Sequence, residues 1–262
     1  MELIKTLDFL RNLGDTLMFV HDMVSIATRG ELREEILKQR MVIAKEVMSN
    51  PKFYMPDVTK RQLSKNIKYF TEKMKELNRA QIDSYHLPLL NQGLVMICTI
   101  FEIFLNHVLL VVMINKPETL IGISSEKNLS VEKIVELKTY DKIMEGLRMK
   151  VIEHFSRQGI KEKIKVFKNL GIDDKKIFDF SRFAVEIRER LSGYNLEKLD
   201  EIFQKRHDIV HKNILPVQNF GELEEVKEFF EKIILNLSII VSSKFEIMFD
   251  MQAIAKGIPV ST

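Results

Sequence analysis

Residues 195–213 read NLEKLDEIFQKRHDIVHKN. Leu199, Ile202, Phe203, Ile209 and Val210 recur there at helical steps. Asn195 suits the N-cap, with Tyr194 and Leu199 placed for a hydrophobic staple. At about 100° per residue the apolar positions form one stripe, and Arg206 falls in its middle. A charge on a buried stripe needs a partner or a purpose. One reading is a structural ion pair. The other is an arginine held in a cleft, where its planar fork matches phosphate oxygens.

His207 and His211 lie four residues apart, so they share a helix face with Gln204 and Asp200. Histidines at that spacing can bind zinc, but zinc takes three or four convergent ligands. Asp200 is the only carboxylate on that face, so no metal site is expected. Imidazole titrates near neutrality and serves as general acid or base. Arginine plus histidine is therefore a chemistry suited to cleaving a phosphodiester without metal or other cofactor.

Outward from this segment, helical periodicity continues almost everywhere. Helices are predicted over 2–29, 31–49, 58–78, 88–115, 130–136, 139–157, 160–170, 174–192 and 219–254. Asn219 and Glu222 resemble a capping box for the last of these. A two-proline loop covers 50–57, and a further loop is predicted over 79–87, ahead of Pro88 in a helical first turn. That loop suggests a boundary, with a helical extension over 1–80 and the functional domain over 81–262. Only 10 Gly and 6 Pro occur, few for a strand- or loop-rich chain. With 45% hydrophobic and 29% charged residues, the chain is neither disordered nor fibrous.

The net charge of +3 neither announces nor excludes a nucleic-acid partner, because a local basic face matters more than the sum. Lys161, Lys163, Lys165 and Lys168 form one basic group, with Lys212 nearer the histidines; Lys60, Arg61, Lys65 and Lys68 form another. Either could track a phosphate backbone, although charge runs on helices are ordinarily solvated faces. The thirteen methionines read as core filler. The single cysteine, Cys98, allows no disulfide within one chain and suits a reducing compartment; a cytoplasmic location is expected. The start, MELIKTLDFLRN, alternates charge with apolar residues and does not read as a signal peptide. Residues 87–114 are apolar enough to suggest a membrane span, but Asn91, Gln92, Glu102, Asn106 and His107 interrupt them. A buried core helix is expected instead.

Within that helix, Glu102 sits among Ile97, Phe101, Leu105 and Val108. A carboxylate so placed is costly unless paired, and Arg206 is its natural partner. The alternative is that Glu102 lies at an exposed edge with Asn106.

RHDIVHKN at 206–213 resembles the motif of the HEPN-domain family, an arginine and a histidine separated by four to six residues, with a polar residue after the arginine and apolar residues before the histidine. The spacing alone also occurs at Arg79–His86 and Arg148–His154. Context selects the third occurrence, which lies on the penultimate long helix with polar-then-apolar filling. Residues 94–121, LVMICTIFEIFLNHVLLVVMINKPETLI, are similar to the early apolar helix of HEPN families, with Glu102 at their acidic position. SVEKIVELKTYD at 130–141 resembles the linking region of an RNase-like branch. The resemblance covers roughly 88–250.

It implies an all-α antiparallel bundle with an additional N-terminal helical region. It implies a homodimer whose 195–213 helices pair to form one composite cleft for RNA. There Arg206 and His211 would be catalytic, supported by His207, Asp208 and Glu102, in an endoribonuclease of defence or RNA processing. A regulatory protein partner is compatible with it. The alternatives are a catalytically silent HEPN-like module binding RNA, nucleotide or a protein, and a plain helical interaction protein. One departure concerns HEPN toxins paired with nucleotidyltransferase antitoxins, which often carry a tyrosine two residues after the histidine; here that residue is Asn213. Arg206 and His211 are also about 140° apart around a regular helix, so they cannot leave one backbone in the same direction.

Overall fold

A computed structural model of the chain describes residues 3–28, 60–123 and 139–255. The helix expected over 31–49, the loop over 50–57 and the helix over 130–136 lie outside them, as do the side chains of Lys60, Arg61, Lys65 and Lys68. The described residues are all-α: α1 (Thr6–Thr28), α2 (Lys60–Asn115), α3 (Thr119–Ile123), α4 (Tyr140–Ser156), α5 (Ile160–Asn169), α6 (Asp174–Ile177), α7 (Val185–Arg190), α8 (Leu196–Lys212), α9 (Phe220–Phe245) and α10 (Asp250–Ala255).

The central element is the C-terminal half of α2. Leu94, Ile97, Cys98, Phe101, Leu105 and Val108 are inaccessible or nearly so. Residues 86–115 have the length and apolarity to cross a membrane, yet here they form the core that α1, α4, α8 and α9 pack around. Cys98 is wholly buried, and loss of hydration pushes its thiol far above the ordinary range.

Helix α2 continues through 79–87, where a loop was expected, and a boundary at residue 80 falls inside it. Pro88 deprives only one upstream carbonyl of its helical donor. Burial of Leu90 and Leu94 just beyond it outweighs that loss.

One turn past Pro88, the buried Asn91 donates through Nδ2 to Leu87 O at 2.7 Å and to Val217 O at 2.9 Å. Its Oδ1 accepts from the Val217 N–H at 3.0 Å. This side chain fastens the segment after α8 to the core helix. Asn91→Ala leaves both Val217 backbone groups buried without partners, and should lower stability by about 2–3 kcal/mol. Urea unfolding reports the loss, and amide exchange at Val217 should rise well beyond the global change. Unchanged protection there would contradict the assignment.

The helix expected over 174–192 is broken into α6 and α7. The cause is tertiary. Asn236 of α9 donates Nδ2 to Ile177 O at 3.0 Å and to Asp179 O at 2.9 Å, supplying the bonds that a continuous helix would have made. Phe178 and Phe180 also dock on Phe229.

The two ends of the fold are tied together. Asp250 Oδ2 accepts from the Leu7 N–H at 2.7 Å, capping α1, and the Thr6 and Ser238 hydroxyls lie 2.7 Å apart. Ile4 and Phe249 form an isolated parallel bridge. Ile4, Leu13 and Val20 thus belong to the same buried cluster as Phe101 and Phe230.

Candidate functional site

Helix α8 carries the site, and its ends are fixed by sequence. The Asn195 side chain accepts from the Lys198 N–H at 3.0 Å, as an N-cap. At the other end Asn213 adopts a left-handed conformation with φ 52°, and its N–H reaches the Asp208 carbonyl. Asparagine tolerates that conformation, whereas a tyrosine at this position would be strained in it. His211 and Lys212 lie in the last turn, where cations complement the helix dipole. The Asn219–Glu222 cap starts α9, the Glu222 N–H donating to Asn219 Oδ1 at 3.0 Å.

The apolar stripe of α8 faces α2 as its pattern requires: Leu199 and Ile202 are buried, and Phe203 and Ile209 pack against the core. Val210 departs from the expectation. Its angle is right, but it is 51% exposed, as is Ile214 at 49%. Angle around a helix does not by itself decide burial: Ile209, the residue before Val210, still packs against the core. Arg206, on the same stripe, is partly exposed.

The Arg206 side chain is 33% exposed, with Nη2 at 3.7 Å from Glu102 Oε2. The expected pairing of these two charges is present, but at that distance it is an ion pair without a hydrogen bond. Arg206 Nε is buried and has no hydrogen-bond partner. Glu102 has a nearer partner: Lys163 Nζ donates to its Oε1 at 2.7 Å.

Lys163, expected on an RNA-tracking face, is instead buried, with 1% of its side chain exposed. It cannot reach a phosphate backbone. The reason is visible in α5: Ile160, Lys163, Ile164 and Phe167 are its buried residues, so Lys163 occupies a core-facing position. That same pattern, a lysine on an apolar stripe, was the signal that could have marked it as the partner of Glu102.

His207 and His211 lie against each other on the exposed side, ring centroids 4.5 Å apart and planes tilted by 42°. Arg206 turns inward to Glu102 and His211 outward to His207, so the two do not converge within one chain. Asp208 makes no hydrogen bond to either histidine. It accepts from Lys212 Nζ at 2.8 Å and from Gln204 Nε2 at 2.9 Å. Among the described residues no group of three or more His, Cys, Asp or Glu side chains is placed to hold a metal.

A family model described as RiboL-PSP-HEPN matches residues 60–243. The chain belongs to this HEPN family. No curated protein and no solved structure matches it. The matched span holds the whole constellation of Glu102, Lys163, Arg206, His207 and His211, while α1 lies outside it. Of the two rival arginine–histidine spacings in this HEPN chain, Arg148–His154 lies on α4 and Arg79–His86 on α2.

The remaining basic candidates of the HEPN domain are exposed and loosely held. Lys161 pairs with Asp200 at 2.8 Å, Lys165 with Glu162 at 3.6 Å and Lys168 with Asp174 at 3.4 Å. Exposed pairs of this kind contribute little and are readily exchanged.

The Lys212 and Gln204 hydrogen bonds hold the Asp208 carboxyl below the usual carboxylate range. A lowered folded-state value means that its contribution to stability is present above the unfolded carboxylate range. It is lost as pH falls through the lowered value. Thermal melts of wild type and Asp208→Asn should therefore differ modestly at pH 7, wild type being the more stable, and converge in acid once the pH has fallen through the lowered value of Asp208. A gap that persists in acid would show that the difference is not electrostatic.

Proposed function

We propose that this HEPN protein is a metal-independent endoribonuclease acting at a cleft shared by two copies of the chain. The observation that carries this reading is the state of Arg206. Its guanidinium is anchored by Glu102 but not consumed by it, and its Nε is buried without a partner. Glu102, Lys163 and Arg206 together carry one positive charge in surplus, which reaches solvent chiefly through Arg206. That is a setting for a phosphate.

The chemistry needs a base to take the proton of a ribose 2′-hydroxyl and an acid on the far side of phosphorus to protonate the leaving 5′-oxygen. One His211 cannot do both in line. A two-fold axis along α8 supplies the second. Val210 and Ile214, exposed beside the histidines, are the apolar contacts such an axis would cover. The two Arg206 side chains would meet the charge growing on the non-bridging oxygens. The P–O5′ bond breaks as the P–O2′ bond forms, leaving a 2′,3′-cyclic phosphate and a 5′-hydroxyl.

The test is cleavage of RNA by purified protein in EDTA with analysis of the new ends. Cyclic-phosphate ends are expected; 3′-hydroxyl ends, or cleavage only on addition of a divalent cation, would overturn the mechanism. A second reading, a non-cleaving module that binds RNA or nucleotide through Arg206, is favoured by the divergence of Arg206 and His211 within one chain. It predicts Arg206-dependent RNA binding with intact RNA after prolonged incubation.

A further inference from the structure

A lysine with 1% of its side chain exposed requires an explanation. Lys163 stands where α5 would ordinarily place an apolar residue, and its Nζ also lies 5.8 Å from the centre of the Phe155 ring. It makes one short hydrogen bond, to Glu102 Oε1. The other oxygen of that carboxylate faces Arg206 from 3.7 Å. Glu102 thus divides its charge unequally between two cations, the buried lysine holding the closer position.

Arginine and carboxylate left alone tend to close into a two-pronged pair with two short parallel hydrogen bonds. Such a pair would occupy the donors that Arg206 needs for an anion. The lysine blocks it by holding one of the two oxygens in a short hydrogen bond.

We propose that Lys163 is a positioning residue, which engages Glu102 so that Arg206 stays free to bind an RNA phosphate. This rests on the reading of Arg206 given above, but not on cleavage. Lys163 acts through Arg206 and never touches RNA itself.

The experiment is a double-mutant cycle on binding. The probe is a fluorescein-labelled, fully 2′-O-methylated single-stranded RNA, which cannot undergo 2′-hydroxyl attack, so affinity is read apart from catalysis. Wild type, Lys163→Met, Arg206→Ala and the double variant are compared by anisotropy across a salt series, each at a temperature where circular dichroism shows it folded. Lys163→Met should weaken binding about tenfold and reduce the salt slope by about one counterion, as Arg206→Ala does. In the Arg206→Ala background it should do nothing further.

Additive losses would overturn the proposal while leaving Arg206 a phosphate ligand. Equal binding by wild type and Arg206→Ala would overturn both. Should Lys163→Met not fold, Lys163→Gln, which keeps a hydrogen-bond donor for Glu102 but carries no charge, takes its place in the cycle; a loss that vanishes in the Arg206→Ala background supports the proposal, and an additive loss overturns it.

Discussion

His211→Ala is expected to reduce single-turnover RNA cleavage by about 10²–10⁴-fold, the usual contribution of a positioned acid or base. Arg206→Ala should cost about 10²–10³-fold, as loss of a donor to developing phosphoryl charge does. Neither loss should come from unfolding. His211 is exposed and touches chiefly the His207 ring, and Glu102 keeps Lys163 when Arg206 is removed. Circular dichroism and melting temperature check this. Arg206→Lys should recover little, because a lysine offers a point charge in place of the planar fork. Full activity in both alanine variants would remove the site from α8.

Mixing tests the composite cleft. If one cleft needs a histidine from each chain, titrating His211→Ala protein into wild type at fixed total concentration should lower activity as the square of the wild-type fraction. A linear decline would mean that each chain works alone, and the two-fold arrangement would then be wrong.

The second large effect is on stability. Phe101→Ala should lower the unfolding free energy by about 3–5 kcal/mol. The Phe101 ring is inaccessible and stacks on Phe230 at 4.4 Å, with Phe203 at 6.3 Å. Phe203 and Phe230 are themselves 6.1 Å apart, so the three rings join α2, α8 and α9 in one contact. Truncation opens a cavity where these three helices meet. Against a total stability of about 5–15 kcal/mol, the loss is severe. It should appear as a lower urea midpoint with little change in slope. Ile103 is the control: two residues along the same helix but 51% exposed, its alanine variant should shift stability by no more than about 0.5 kcal/mol. Equal effects at the two positions would contradict the packing.

Much of this protein is written in local pattern. The apolar periodicity of 195–213 gives α8, with the side-chain acceptor of Asn195 at its start, because helix faces and caps depend on residues a few positions apart. The arginine on that stripe and the carboxylate of Glu102 on another were visible as charges in need of partners. So was the family, through RHDIVH and the apolar helix before it.

Other features depended on residues distant in sequence. Asn236, fifty-nine residues beyond Ile177, breaks the predicted 174–192 helix by taking its carbonyls. Burial on the far side of Pro88 carries α2 through an expected loop. Lys163, sixty-one residues from Glu102, takes that carboxylate's nearer oxygen and leaves Arg206 at 3.7 Å. Val210 shows the limit most simply: local pattern sets a residue's angle on its helix, but what packs against that angle decides whether it faces protein or water.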